Sequence, residues 1–210
     1  MIYPNLKGLL LLTLFFSSCR SIEVTNTWKL PVMPQNGIKR ILVMGIHREP
    51  DRSTLYEMER HLSEGLRARG YQAFSAFSEY GPQVFDRITE EEALHKLERS
   101  GYDAVMTIVL LDKEKERHYV PGHVNYTPYA FYYGRFWGYR TVLFNRVVEP
   151  GYYVTDTKYF WESNLYSLKR GEVLLFSAQS RSFDPPDASE FGRRYAKTMV
   201  DLLFSQGVLE

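Results

Sequence analysis

The chain has 210 residues, with 26 lysines and arginines against 25 aspartates and glutamates, and one cysteine. Its formal net charge of +1 comes from interspersed acids and bases, which excludes the basic patch or stripe that marks a nucleic-acid binder. One cysteine excludes an intrachain disulfide framework, and a hydrophobic fraction of 44% suits a single domain able to bury a core without one.

The first element is a leader. Lys7 precedes an apolar run from Leu9 to Phe16, and Ser17 and Ser18 lead into Cys19. This run is far short of the about 20 apolar residues of a spanning helix and falls within the about 7–15 of a secretory h-region. Residues 1–18 are therefore expected to be a signal peptide, cut between Ser18 and Cys19, with Cys19 acylated (palmitate among its chains). Ordinary cleavage nearby and an uncleaved anchor or core helix are the alternatives.

Residues 19–37 follow as a lipidated N-terminus, tether and opening strand. Ile22, Val24 and Trp28 alternate until Pro31, Pro34 and Gly37 break the pattern. Residues 38–210 are expected to form one α/β domain. Its first run, 40–46, is continuously apolar and of strand length, as in a strand buried on both faces of a parallel sheet. Leu55, Met58, Leu62 and Leu66 recur at helical steps, with Asp51 or Ser53 placed to cap the helix and Gly70 to end it. Residues 71–77 suggest a short strand. Residues 89–100 suggest a helix with a Thr89/Glu92 capping box, closed by Gly101. Residues 104–111 suggest a third strand, so the first half is β-α-β-α-β.

The second half changes style. Residues 157–168 and 172–183 flank Lys169-Arg170-Gly171 and predict an antiparallel hairpin with glycine at the turn. Residues 141–148 offer a further strand. Pro185 and Pro186 stop the sheet before a terminal helix with Phe191, Tyr195, Met199, Leu202 and Leu203 as its apolar stripe and Gly207 at its end. The expected fold is mixed α/β, of α+β kind, with a mixed sheet covered by three helices.

The most distinctive internal segment is 119–139, where Tyr119, Tyr126, Tyr129, Phe131, Tyr132, Tyr133, Phe136, Trp137 and Tyr139 recur without a helical or strand period. A connection of about twenty residues without regular structure is uncommon in a compact domain and tends to be functional. Wide aromatic faces with polar tips suit stacking on sugars or docking on a protein, although rings folded back over the sheet would satisfy the same composition.

Other chemistry is thinner. His118 and His123, with Asp112, Glu114 and Glu116 upstream, have no fixed metal-site spacing, and the alternating lysines and glutamates at 113–116 read as a solvated strand end. His47, Arg48 and Arg52 lie ahead of a helix N-terminus, where anions bind in α/β sheets, but Gly45 stands alone without a phosphate-loop pattern. Glu162 is a carboxylate amid aromatics. Burial would raise its pKa, and pairing with a base or a hydrogen bond across the sheet is its expected role. No Gly-x-Ser-x-Gly elbow is present. Neither a catalytic residue, a metal nor a cofactor is expected.

The Ser-Ser-Cys lipobox, Thr25 to Trp28, the Lys-Arg-Ile-Leu-Val-Met-Gly strand, the tyrosine-glycine loop and the hairpin from Ser163 to Ser180 together resemble a family of small uncharacterised lipoproteins of Gram-negative bacteria, of the Bacteroidetes kind. Phe16 departs from the leucine common in such a lipobox, and Ser167 from the aspartate common at the hairpin turn. The α/β order also looks like the TolB N-terminal domain and the curli-secretion lipoprotein, an analogy of fold alone. The resemblance implies a non-enzymatic envelope lipoprotein on the periplasmic side of the outer membrane, since Arg20 and Ser21, not aspartate, follow Cys19. The expected partner, bound through the aromatic segment or a sheet edge, is another envelope protein or a glycan, and the balanced charge leaves no role for nucleic acid. The alternative is a periplasmic hydrolase or transferase acting on cell-wall or lipid-linked sugars, with Glu162, His118 or His123 in its site.

Overall fold

The computed structural model describes residues 22–33, 37–46, 52–81, 90–116, 156–169, 171, 173–183 and 187–210. Ten elements follow in chain order: β1 (Ile22–Lys29), β2 (Arg40–Ile46), α1 (Ser53–Ala68), β3 (Gln72–Ser75), α2 (Ala76–Tyr80), α3 (Glu90–Arg99), β4 (Ala104–Glu116), β5 (Asp156–Ser167), β6 (Val173–Phe183) and α4 (Ala188–Ser205). The strands form one mixed sheet in the order β1-β6-β5-β4-β2-β3.

The expected β-α-β-α-β unit is present. β2 pairs in parallel with β3 on one side and β4 on the other. Leu55, Met58, Leu62 and Leu66 of α1 join Ile41, Val43, Met106 and Ile108 in one core cluster, whereas Leu97 of α3 joins Leu42, Met44, Val105 and Val109 in the other. The two crossovers thus run in opposite directions on opposite faces, which gives both the same hand.

The hairpin is also present: β5 and β6 pair antiparallel around a turn where Gly171 has φ 79°. β4 pairs antiparallel with β5, and β1 closes the far edge against β6. On the first face, α4 packs beside α1, burying Phe191, Tyr195, Met199 and Leu203 over Trp161, Leu165 and Ala178.

Four details differ from the sequence expectation. The described residues contain four helices instead of three, because residues 71–77 divide: the strand ends at Ser75, whose hydroxyl accepts the Ser78 N–H and caps α2. The N-cap of α1 is Arg52, with no side-chain capping bond, instead of Asp51 or Ser53; Asp51 itself lies outside the described residues. β4 runs to Glu116 instead of ending near 111, because β5 offers it a partner at every step past a bulge at Leu111. Leu202 is only partly buried at the edge of the α4 stripe. The Thr89 half of the capping box and residues 141–148 lie outside the described residues.

The α1–α4 seam is unusually close. A Cβ on Gly192 would stand 2.7 Å from the Glu57 carbonyl carbon, 2.8 Å from its oxygen and 3.0 Å from the Met58 nitrogen, all backbone. At Gly65 it would meet only the Val200 Cγ2 methyl, at 3.0 Å. Gly192→Ala is therefore expected to push the helices apart and cost ~1–3 kcal/mol despite its better helix propensity, while Gly65→Ala stays near neutral. Urea denaturation compares them; equal midpoints would show that backbone contact does not limit this seam.

Candidate functional site

Glu162 lies in the middle of β5. Its neighbours Trp161 and Ser163 point into the α4 side, where Trp161 packs against Phe191 and the Ser163 hydroxyl hydrogen-bonds the Tyr195 phenol. Side chains alternate along a strand, so Glu162 belongs to the opposite face, directly between Val109 of β4 and Gln179 of β6. There Gln179 Nε2 donates to Glu162 Oε1 at 3.3 Å, the cross-sheet bond expected from the sequence. Thr107, Asn164 and Ser177 surround it on the same face, all buried, and Glu162 itself is 2% exposed.

This is a polar strip where a sheet interior usually carries aliphatics. Among the described residues, Asn164 Oδ1 and Ser177 Oγ have no hydrogen-bond partner, an arrangement costing about 1–3 kcal/mol per orphaned group. Burial pushes the Glu162 carboxyl up to about 7, against the opposing hydrogen bonds from Gln179 and Asn164. Glu162 is thus poised to hold a proton in the neutral range.

A second buried carboxylate was invisible to sequence reasoning. Glu59 of α1 reaches the carboxyl ends of β2 and β3, where its oxygens accept the Gly45 N–H at 2.6 Å, the Ser75 hydroxyl at 2.7 Å and the Phe77 N–H at 3.0 Å. Burial pushes this carboxyl up, while the Phe77 and Gly45 amides and the Ser75 hydroxyl pull it back. The strand ends of an α/β sheet are where ligands usually bind. Here the chain's own carboxylate takes the Gly45, Ser75 and Phe77 donors. Arg52 lies at the start of α1; His47 and Arg48 lie outside the described residues.

A third cluster spans the α1–α4 seam. His61 Nε2 lies 3.2 Å from Ser189 Oγ, and His61 Nδ1 lies 3.1 Å from Glu64 Oε2. Those are distances of a nucleophile, base and orienting carboxylate. However, Arg60 Nη2 stands 2.9 Å from the same Nε2 and 2.6 Å from Glu57 Oε2. A guanidinium on the lone pair competes with any role as a base, and the group is better described as a polar clasp between helices.

The remaining predicted residues divide. Asp112 and Glu114 sit on β4, and Asp112 Oδ1 accepts the Lys113 N–H at 2.7 Å. Glu116 is the last residue of β4 and pairs with Asp156, the first of β5. Ser18, Cys19, His118, His123 and the aromatic residues of 119–139 lie outside the described residues. Their attachment points do not: the chain leaves β4 at Glu116 and re-enters at Asp156 at the same end of the sheet where Ile22 begins β1 beside Ser182.

No family model and no curated protein matches the chain. Among solved structures it is similar to the PelC dodecamer from Paraburkholderia phytofirmans, with 15% identity over 86% of this chain and 96% of that one, at a TM-score of 0.44. It is also similar to the lipoprotein GNA1162 from Neisseria meningitidis, with 16% identity over 81% of this chain and 98% of that one, at a TM-score of 0.41. Likeness at this level says nothing of what this chain binds, and it gives no support to the Bacteroidetes family or to the TolB comparison.

The raised pKa of Glu162 has a signed consequence. Its folded value of about 7 exceeds the ordinary 4.5, so the protonated carboxyl favours the fold at low pH, and that contribution is lost as pH rises through 7. Glu162→Gln removes the titration and is expected to exceed the parent in stability above pH 7, by up to about 3 kcal/mol, while converging with it near pH 4. Urea midpoints at the two pH values test this; a stability difference that does not change with pH would refute it.

Proposed function

We propose that the protein is a lipid-anchored envelope lipoprotein, held through Cys19 on the periplasmic side of the outer membrane, whose body works by binding instead of catalysis. The observation that carries this reading is where the fold begins. The leader ends at Ser18, and the first described strand of the sheet starts at Ile22, three residues after Cys19. Every described strand and helix lies after the proposed cleavage point, so removing residues 1–18 takes none of them away. Among the described residues no helix is long and apolar enough to cross a membrane.

The binding function is assigned to the aromatic segment, with another envelope protein or a glycan as its partner. Support comes from composition and attachment: nine aromatic residues between 119 and 139, on a segment joined to the sheet at the end where the tether enters. Aromatic side chains carry large contact area and a polar tip, which suits both kinds of partner.

Two measurements test these halves separately. Metabolic labelling with an acyl-chain probe is expected to mark the native chain and not Cys19→Ala; equal labelling of both would remove the anchor. In-cell crosslinking is expected to recover a partner with the native chain and to lose it when residues 119–139 are deleted. Undiminished recovery from a deletion variant that keeps the parent's circular dichroism would remove the aromatic segment from recognition.

A further inference from the structure

We infer that the end of the sheet where β1 begins rests on the lipid surface, with Phe183 as the inserting side chain and Lys158 beside it at headgroup level. The inference rests on the acylation of Cys19 and adds to it an orientation and a contact surface.

The tether sets the geometry. Ile22 lies three residue steps after Cys19, and an extended chain covers at most ~3.3–3.6 Å per step, so Ile22 stands within roughly 11 Å of the acylated residue. Ile22 pairs with Ser182, the neighbour of Phe183, and Lys158 of β5 pairs with Phe183. Adjacent strands lie about 4.8 Å apart, so Phe183 and Lys158 are one and two strands from the tether. Both are within its reach of the bilayer.

The side chains at this end suit that surface. Three large hydrophobic side chains are strongly exposed among the described residues: Val32 at 80%, Phe183 at 44% and Val173 at 36%. Val32 follows the end of β1 and Val173 opens β6 after the hairpin turn, so both belong to the opposite end of the sheet. Phe183 stands at the tether end. Lys158 Nζ lies 5.8 Å from its ring centroid, and Lys113 Nζ lies 5.5 Å from that of Tyr159 on the next strands.

A ring beside an ammonium on an aliphatic stem matches the headgroup boundary, where the ring enters apolar surroundings and the cation stays among phosphates. Glu114 pairs across the strands with Lys158, and Glu23 bridges Arg181 at 2.8 Å. Charge is therefore balanced here, and ring insertion instead of net attraction sets the contact. The occupant this favours is the lipid leaflet that holds the acyl chains.

Acylation consumes the thiol of the chain's one cysteine, so an introduced cysteine carries a unique label. The mature lipoprotein, expressed with its leader, is reconstituted in phosphatidylethanolamine–phosphatidylglycerol vesicles containing lipid spin-labelled near the headgroup. An environment-sensitive fluorophore is placed at Phe183→Cys or, as the far-end control, at Val173→Cys; Lys158→Cys replaces the first if it does not fold. The expected result is a blue shift and severalfold stronger quenching at 183 or 158 than at 173. Equal quenching at the two ends, or none at 183 in protein that floats with the vesicles, overturns the orientation while leaving the anchor standing. A maleimide-reactive thiol on the unsubstituted mature chain overturns the anchor and the orientation with it.

Discussion

The structure depends on β4 being a neighbour to two kinds of strand. On one side it pairs in parallel with β2, on the other antiparallel with β5, so the β-α-β-α-β unit and the C-terminal hairpin share a single sheet through this strand. Its starting register is tied down by one side chain. Asp103 Oδ2 accepts the amides of Lys39 and Arg40 at 2.7 and 2.8 Å, and Oδ1 faces Lys169 Nζ at 2.9 Å. The Asp103 carbonyl also accepts the Leu168 N–H at 2.9 Å. The lead-in to β2, the entry to β4 and the hairpin turn therefore meet at one residue. Burial works against its charge, but Lys169 and the two amides outweigh that and hold the carboxyl below the usual carboxylate range. A one-residue slip at β4 would exchange the two faces of the sheet.

Those faces have different chemistry. The side under α1 and α4 is mostly apolar, and its aromatic polar tips are hydrogen-bonded: Trp161 Nε1 donates to Ser182 Oγ at 2.9 Å, and the Tyr195 phenol meets the Ser163 hydroxyl. The opposite side is apolar from β3 to β4, beneath α2 and α3, and at the hairpin-turn end of β5 and β6, where Tyr166 and Leu174 join the same cluster. Across β5 and β6 it becomes the strip of Glu162, Asn164, Ser177 and Gln179. Strands whose inward positions are serine, asparagine and glutamate are poor ground for an aliphatic helix face. On this side α2 and α3 cover the aliphatic part, while α4 covers the other face of the hairpin.

The sequence exposed most of this arrangement where periodicity was strong. The stripe Leu55, Met58, Leu62, Leu66 and the apolar run 40–46 specify element type directly, because burial on one face or on both leaves a repeat that local reading can see. Three features were hidden because their cause is distant in the chain. β3 ends at Ser75 partly because Glu59, sixteen residues earlier, accepts from Ser75 and Phe77. The extra length of β4 depends on β5, some forty residues further on. The closeness of α1 to α4 turns on Gly192, which as a lone glycine in a helical pattern reads only as a weakness until its backbone neighbour Glu57 is known. The character of Glu162 was legible as a carboxylate amid rings; its cross-sheet partner Gln179 was not named, because that pairing follows from hairpin register.

The placement of Glu59 bears on where recognition can occur. In a sheet with this strand order, the amides at the carboxyl ends of the parallel strands are the natural receptor for an anionic ligand. Here the Gly45 and Phe77 amides already serve a buried carboxylate at 2.6 and 3.0 Å. An incoming anion would have to displace a group bound by three donors and expel its charge into the core, which is costly without a compensating cation. The crevice is thereby committed to holding α1 against the sheet. That same end of the sheet is where β1 begins, where β6 ends in Phe183, and where β4 and β5 receive the chain from 117–155. With the crevice occupied from within, the chemistry left for an outside partner at this end lies in the strand tips and the segments attached to them. A short tether from Cys19 would hold those tips beside a lipid surface.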